Sequence, residues 1–393
     1  MYSVSGFGQM IADEIRMAAY AQALQQTVRP GSVVIDIGAG TGILSLLACR
    51  YGARKVYAIE PGNAIHLARE AARANDCADR IDLLQALSTE VELPEKADVI
   101  VSDLHGVMPL FAQSIPAIVD ARKRWMARQG KLIPQRETLW VAVVSANQPH
   151  ARLVDPWGHN RHELDLSSTL PLVTNTWSKL RVETNQLLTA PHCWAALDYR
   201  TIESANVNAA VTLPVHRPGV AHGLLIWFDS QLTDGIEFSN APGKPEMIYG
   251  SGYFPWPEAV PLNEGDQVIL NLRADLTGAD YTWSWHSQII SGGKRTKHFR
   301  QSTFFSEPLS AEALRRRASS HRPLPSQAAA LDQVILSMMD GTHTLGEMAD
   351  RLMELFPGKF TAHKDALTRV ANFTEKYPVN ESDSALQTRA ANV

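Results

Sequence analysis

The most chemically pointed pattern in the chain is a carboxylate, a glycine-rich turn and a second carboxylate: Asp36, then Gly38-Ala39-Gly40-Thr41-Gly42, then Glu60. Gly38, Gly40 and Gly42 supply backbone conformations and a close approach that side chains would block, although glycine triplets alone do not single out one cofactor. Glu60 sharpens the pattern, because a carboxylate there can accept hydrogen bonds from both hydroxyls of a ribose. A plain strand-turn-helix without ligand would carry the same glycines. The acidic pair favours nucleotide-like binding.

These residues need elements to hold them. Val33–Ile37 is an apolar run of the kind that forms a fully buried parallel strand, and Ile43–Ala48 has the residue types of a helix. Lys55–Ile59 reads as a second strand ending in Glu60, and Ala64–Ala74 as a helix. Ile81–Leu84 reads as a third strand, and Asp98–Ser102 as a fourth, ending in Asp103. Ligands of open parallel sheets bind at the carboxyl ends of strands, facing backbone N–H groups and a helix N-terminus. Upstream, Met10–Tyr20 carries apolar residues at helical spacing and is expected to form one amphipathic helix.

The run Asp36-Ile37-Gly38-Ala39-Gly40-Thr41-Gly42-Ile43-Leu44-Ser45, followed by Gly52-Ala53-Arg54-Lys55-Val56 and the acidic strand end at Glu60, resembles the class I S-adenosylmethionine-dependent methyltransferases. More narrowly, it resembles the protein arginine methyltransferases. The resemblance implies that Asp36, Gly38, Ala39, Gly40, Gly42 and Glu60 seat S-adenosylmethionine. It implies that Arg16, in Asp13-Glu14-Ile15-Arg16 where the family has Asp-Glu-Val-Arg, holds the methionine carboxylate, for which a planar guanidinium is suited. Tyr2 and Phe7 would contribute to a lid over the cofactor. Where the family places a glutamate on the adenine amino group, this chain has Thr89, so adenine recognition is expected from backbone and Ser88, with Glu90 as a substitute.

The loop Asp103–Gln113 departs from the family. Two glutamates there clamp the substrate guanidinium, which stays charged at neutral pH and offers five donors. Here Asp103 takes the place of the first and Gln113 that of the second, with one extra residue between. The Thr-His-Trp loop of the family is also missing, with Tyr249-Gly250-Ser251 or Phe254-Pro255-Trp256 in its neighbourhood. Methyl transfer from a sulfonium asks for alignment and desolvation more than acid–base help. An amine acceptor must still lose a proton, and Asp103 or His105 could orient it and accept that proton. The expected activity is therefore N-methylation of an amine or guanidino nitrogen on a peptide, a protein or a small amine. The alternatives are an arginine methyltransferase proper that uses Asp103 and a carboxylate from elsewhere, and a cofactor-binding pseudoenzyme acting as a partner subunit.

Composition narrows the classes. In 393 residues, 45% are apolar and 20% charged, which is ordinary for globular domains and long enough for two or three of them. A net charge of −4 gives no field that would favour nucleic acid or an anionic membrane, so neither is expected as a partner. Cys49, Cys77 and Cys193 are too few and scattered for a disulfide framework or a zinc site, no metal is expected, and each reads as a small buried hydrophobe. With no signal-like N-terminus and no long apolar stretch, a cytoplasmic location is expected.

Past Trp125 the texture changes. Short alternating or apolar runs at Leu139–Val144, Trp194–Leu197, Asn208–Leu213, Gly223–Phe228, Gln267–Leu272 and Tyr281–His286 read as an antiparallel β domain. The expected organisation is a Rossmann-like domain over 1–135 and a β-barrel-like domain over 136–306. A linker over 307–327, a small helical domain over 328–378 and a disordered tail over 379–393 would follow. By the resemblance, Leu164–Asn185 would be a dimerisation arm, making a homodimer; an ordinary long loop is the other reading. Ser310–Arg317 reads as a short basic helix, Ala328–Met339 as an apolar helix, and Thr344 with Glu347 as a capping box opening a helix to Phe356. A last helix is expected over His363–Tyr377. This small domain resembles the PqqD-like peptide-recognition domains, without their β-wing.

Overall fold

The computed structural model describes residues 3–158, 162 and 164–377. Tyr2 and the tail 379–393 lie outside them. The chain divides into two compact units, Met1–Pro308 and Leu309–Val393.

The first unit opens with α1 (Val4–Ala12) and α2 (Glu14–Thr27) in place of one helix over Met10–Tyr20. Asp13 makes the break. It leaves the helical conformation, and its Oδ1 caps α2 by accepting from the Arg16 N–H at 3.1 Å, while Oδ2 accepts from the Ile248 N–H at 2.7 Å. A tertiary bond more than two hundred residues away in sequence thus fixes where α2 begins. Then come β1 (Val33–Ile37), α3 (Ile43–Arg50), β2 (Lys55–Ile59), α4 (Ala64–Ala74), β3 (Ile81–Leu84), β4 (Ala97–Ser102), α5 (Ser114–Trp125) and β5 (Met126–Ile133). The five strands pair in parallel in the order β3-β2-β1-β4-β5. Chain direction across the sheet switches between β1 and β4. At such a switch the loops leaving adjacent strands part and open a crevice. The glycine turn leaves β1 and the Asp103 loop leaves β4, so both reach that crevice.

From β6 (Arg136–Val144) onward every pairing is antiparallel. The elements are α6 (Asn147–Gly158), α7 (Leu170–Thr174), β7 (Ser178–Leu180), β8 (His192–Asp198), β9 (Val207–Pro214), β10 (Gly219–Thr233), β11 (Ile236–Ser239), β12 (Ser251–Leu262), β13 (Gln267–Thr277), β14 (Asp280–Ser291) and β15 (Lys294–Ser302). They form one sheet β7-β12-β10-β6-β8, with β11 on β10, and a second sheet β15-β14-β13-β9. Phe254, Trp256, Trp283 and Trp285 fill the core of this half, which is continuous with that of the parallel half.

The residue pattern does not announce β5, β7, β11, β12 or β15, and the last two are instructive. β12 contains Pro255, Pro257 and Pro261, yet β7 covers only Ser251–Tyr253 on that side, so the prolines fall where no N–H donor is needed. Opposite them β10 carries a bulge between Ala221 and Gly223. Gly223 has φ +154° there, and a Cβ would meet the Phe254 carbonyl oxygen at 2.2 Å. β15 is an edge strand crowded with Lys and Arg, which protects an edge from further pairing. Cys49 and Cys77 are buried as expected, but Cys193 is exposed, because β8 is the outer strand of its sheet.

The second unit begins with α8 (Ala311–Arg317), capped by Ser310, and continues with α9 (Gln327–Met338), α10 (Leu345–Leu355) and α11 (His363–Thr374). The Thr344–Glu347 capping box forms as the residues dictate. Leu331, Ile335, Met348, Leu352, Val370 and Phe373 make a separate core. Among the described residues this unit has no strand. No helix among the described residues is long and apolar enough to cross a membrane.

Candidate active site

The crevice between β1 and β4 deepens into a cavity of about 1000 Å³ lined by Arg16, Gly38, Ala39, Gly40, Glu60, Asp103 and His105 together. At one end lies the glycine turn. Gly40 has φ +54°, and a Cβ on it would meet Phe7 Cε1 at 2.8 Å, so the turn admits α1 only because this residue is glycine. Phe7 and Met10 bring α1 to the cavity wall. Glu60 accepts from the Gly40 N–H through Oε2 at 3.0 Å and from the Gly62 N–H through Oε1 at 2.7 Å. Each carboxylate oxygen keeps a lone pair for a ligand hydroxyl.

At the other end, Asp103 is the centre of a buried polar chain. Its Oδ2 accepts from Arg16 Nε at 2.5 Å and is ion-paired with the rest of that guanidinium. Its Oδ1 takes the Tyr249 hydroxyl at 2.9 Å and His105 Nδ1 at 2.6 Å. His105 Nε2 in turn meets Glu137 Oε1, and Glu137 also accepts from Tyr199 and, at 3.2 Å, from Ser230. Glu137 is 0% exposed. Phe228 stacks on the imidazole with ring centroids 5.2 Å apart.

Burial alone would push the His105 pKa down, but the Glu137 charge and hydrogen bonds to both carboxylates carry it up to about 10. At neutral pH the ring is therefore an imidazolium, which donates and does not accept. Burial would likewise raise Asp103, yet the Arg16 charge, with His105 and Tyr249, holds it well below the usual carboxylate range. The charges of Arg16, Asp103, His105 and Glu137 cancel within the chain.

Six of the residues singled out from the sequence do not line the cavity, the exposed Glu90 among them. Asp36 is buried behind the turn, with Oδ2 accepting from Ser45 Oγ at 2.6 Å and Oδ1 unpartnered; burial raises its pKa to about 6. Gly42 packs under the turn, where a Cβ would meet Ala68 Cβ at 2.9 Å. Ser88 is buried in a 3-10 turn whose carbonyl takes Arg124 Nη2 at 2.7 Å, and Thr89 is exposed. Gln113 is exposed at the start of α5, its amide donating to the Gly278 carbonyl at 2.5 Å. The bond to the β13–β14 turn draws Gln113 away from Asp103.

Residue reading also passes over groups that the fold supplies. Tyr249 reaches Asp103 from the β11–β12 connection, and Lys179, Trp177, Asp280 and Trp283 line the cavity from the antiparallel half. Glu137 sits beside Arg136 ahead of an apolar run and looks like part of a solvated charged pair. Only the β10 neighbours show that it faces inward.

Residues 18–135 match the family model described as ribosomal protein L11 methyltransferase (PrmA), and residues 135–312 the one described as arginine methyltransferase oligomerization subdomain. Protein arginine N-methyltransferase PRMT10 of Oryza sativa subsp. japonica is 30% identical over 297 residues, covering 66% of this chain and 78% of that protein. The chain belongs to the protein arginine methyltransferase family. Its class is accordingly that of an S-adenosylmethionine-dependent methyltransferase. Probable protein arginine N-methyltransferase 6 of Arabidopsis thaliana is also 30% identical, over 60% of this chain and 55% of its own length. Among solved structures, the Trypanosoma brucei PRMT1 enzyme-prozyme heterotetrameric complex with AdoHcy superimposes with a TM-score of 0.70 at 22% identity, covering 75% of this chain and 96% of that one. Arabidopsis thaliana protein arginine methyltransferase 10 gives 0.66 at 21% identity over 76% and 97%. This arginine methyltransferase fold carries the Rossmann-like sheet first and the antiparallel half second.

Proposed function

We propose that the chain methylates a nitrogen, amine or guanidino, on a peptide or protein acceptor brought to Asp103. The observation that carries this reading is one cavity with the glycine turn and Glu60 at one end and an ionised carboxylate at the other. The cavity suits the cofactor: it is large, it ends in a carboxylate with free lone pairs, and α1 closes on it over Gly40. Glu60 would take the ribose hydroxyls, the Gly38–Gly40 backbone would pass along the cofactor, and Arg16, whose Nη1 donates to the Met10 carbonyl and the Met17 sulfur, would meet the carboxylate through its remaining Nη2 N–H. S-adenosylmethionine supplies an electrophilic methyl on a sulfonium; the C–S bond breaks as the N–C bond forms, and the nitrogen sheds a proton.

In this reading Asp103 orients the acceptor N–H and leaves deprotonation to solvent, because its pKa lies far below neutrality. His105 does not take the proton either, being protonated already; it holds Asp103 in place, and Gln113 holds the loop. Measuring transfer of labelled methyl into arginine and lysine peptides and small amines tests the proposal. Wild type is expected to turn over, and Asp103→Asn to lower kcat about 100-fold with S-adenosylhomocysteine affinity retained. Cofactor binding with no turnover on any acceptor would favour the pseudoenzyme reading, for which the full engagement of Asp103 by Arg16, His105 and Tyr249 speaks.

We further infer a homodimer through the 135–312 region, with exposed Leu166 in the proposed arm and the cytoplasm as its location. The lining residues of the cavity named above belong to the first unit. Removing residues 309–393 is expected to leave S-adenosylhomocysteine affinity within about twofold, because every residue assigned to the cofactor belongs to the first unit, which has a core of its own. A peptide-recognition role for residues 328–377 would require the same truncation to raise KM for a peptide acceptor.

A further inference from the structure

A cationic acceptor needs more than the Asp103 end of the cavity offers. A guanidinium or ammonium entering a partly desolvated site has to meet negative charge that is not already neutralised. Three carboxylates line the cavity, those of Glu60, Asp103 and Asp280. Glu60 serves the glycine turn, and Asp103 is countered by Arg16 and His105. Asp280 forms no ion pair among the described residues.

Its placement follows from the same turn that removes Gln113. Between β13 and β14 the chain reverses through Gly278, whose carbonyl takes the Gln113 amide. Two residues on, Asp280 Oδ1 accepts from the Ala112 N–H at 3.1 Å and from the Tyr281 N–H at 2.8 Å. Ala112 sits at φ +44°, a left-handed conformation uncommon for a side-chain-bearing residue, and the bonds of the Ala112 N–H to Asp280 and of the Gln113 amide to Gly278 tie the loop to this turn. Oδ2 of Asp280 takes part in neither the Ala112 nor the Tyr281 bond. The half-buried Trp177 and the largely buried Tyr281 and Trp283 line the cavity with it, so aromatic side chains stand on the wall that a cation would enter along. Lys179, a cation on the same wall, has its ammonium on the Ile248 carbonyl.

We propose that Asp280 is the acceptor-binding carboxylate that compensates the positive charge of a cationic nitrogen acceptor, the part that Gln113 cannot play. Asp103 then aims the nitrogen, and Asp280 recruits its charge from the rim. This rests on the methyl-transfer reading above. A purely structural Asp280, present only to pin Ala112, predicts something different, because Asp280→Asn keeps Oδ1 as an acceptor and removes only the charge.

The test is calorimetry on the full chain saturated with S-adenosylhomocysteine. The probes are acetyl-Gly-Gly-Arg-Gly-Gly-amide, its lysine counterpart and its uncharged citrulline counterpart. Wild type is expected to bind a cationic peptide in preference to the citrulline one, and Asp280→Asn to lose about tenfold in that affinity, with citrulline-peptide and S-adenosylhomocysteine binding unchanged. Equal affinities in the two proteins, or no preference for charge in wild type, overturn the assignment while leaving methyl transfer standing. Failure of wild type to bind S-adenosylhomocysteine overturns both. A melting temperature for Asp280→Asn equal to that of wild type shows that the loss is one of charge and not of folding.

Discussion

Replacing Glu60 with alanine is expected to weaken S-adenosylhomocysteine binding about 100-fold, because charge-assisted hydrogen bonds are worth about 1.5–3 kcal/mol each and two ribose hydroxyls depend on this one carboxylate. The effect has a second source within the chain. Glu60 also accepts from the Gly40 and Gly62 N–H groups, so its removal frees both amides and loosens the turn over which Phe7 closes. Glu60→Gln separates the two contributions. It retains one acceptor oxygen and the side-chain shape, and a loss of about tenfold is expected from it. Isothermal titration with S-adenosylhomocysteine measures both variants. An affinity for Glu60→Ala within threefold of wild type would place the ribose elsewhere and sink the proposed orientation of the cofactor.

The second large effect is on stability. Glu137→Ala removes the carboxylate that compensates His105 and leaves an imidazolium facing an apolar stack on Phe228, with Tyr199 and Ser230 unpartnered. Breaking a buried pair by removing one partner costs about 3–5 kcal/mol. At about 2–4 °C per kcal/mol for domains of a few hundred residues, that is a fall of about 10 °C in the melting temperature of the first unit. Pairing Glu137→Leu with His105→Met should recover much of the loss, because no charge is then buried alone. Scanning calorimetry on the two variants decides it: equal destabilisation by the single and the paired changes would mean that the chain is not held by this ion pair.

The same pair sets a pH window. The folded pKa of His105, about 10, lies above the ordinary histidine value of about 6.5. Its stabilisation is therefore complete below about pH 6.5 and is lost as pH rises through 10. Asp103 works in the opposite sense. Its folded pKa is depressed, so its contribution is present above the ordinary carboxylate value of about 3.9 and is lost only as pH falls well below that. Wild type should lose stability between pH 7 and 10, and Glu137→Ala should lose less over that interval.

The glycine turn and the strand end at Glu60 were legible in the residues because their geometry is local. Asp36 to Gly42 and Lys55 to Glu60 are short segments whose conformations are dictated by glycine stereochemistry and by buried apolar strands, and the turn and strand end follow directly. The helix pattern of the second unit was legible for the same reason: the Thr344–Glu347 capping box and the apolar period are both short-range. The acceptor half was not, because its groups meet only through the tertiary fold. The Gln113 side chain was decided by a carbonyl on the β13–β14 turn, the start of α2 by an amide at Ile248, and the protonation of His105 by a carboxylate across the sheet on β6. The sequence by itself determined four strands of the parallel sheet, the glycine turn and the helical C-terminal unit, since the type of each element rests on contacts within a few residues or on backbone preference, and the cofactor class followed from the family resemblance those residues carry. Only the tertiary structure decided which carboxylates carry net charge into the cavity, because a charge becomes available or cancelled according to the partners that the packing of distant strands places beside it.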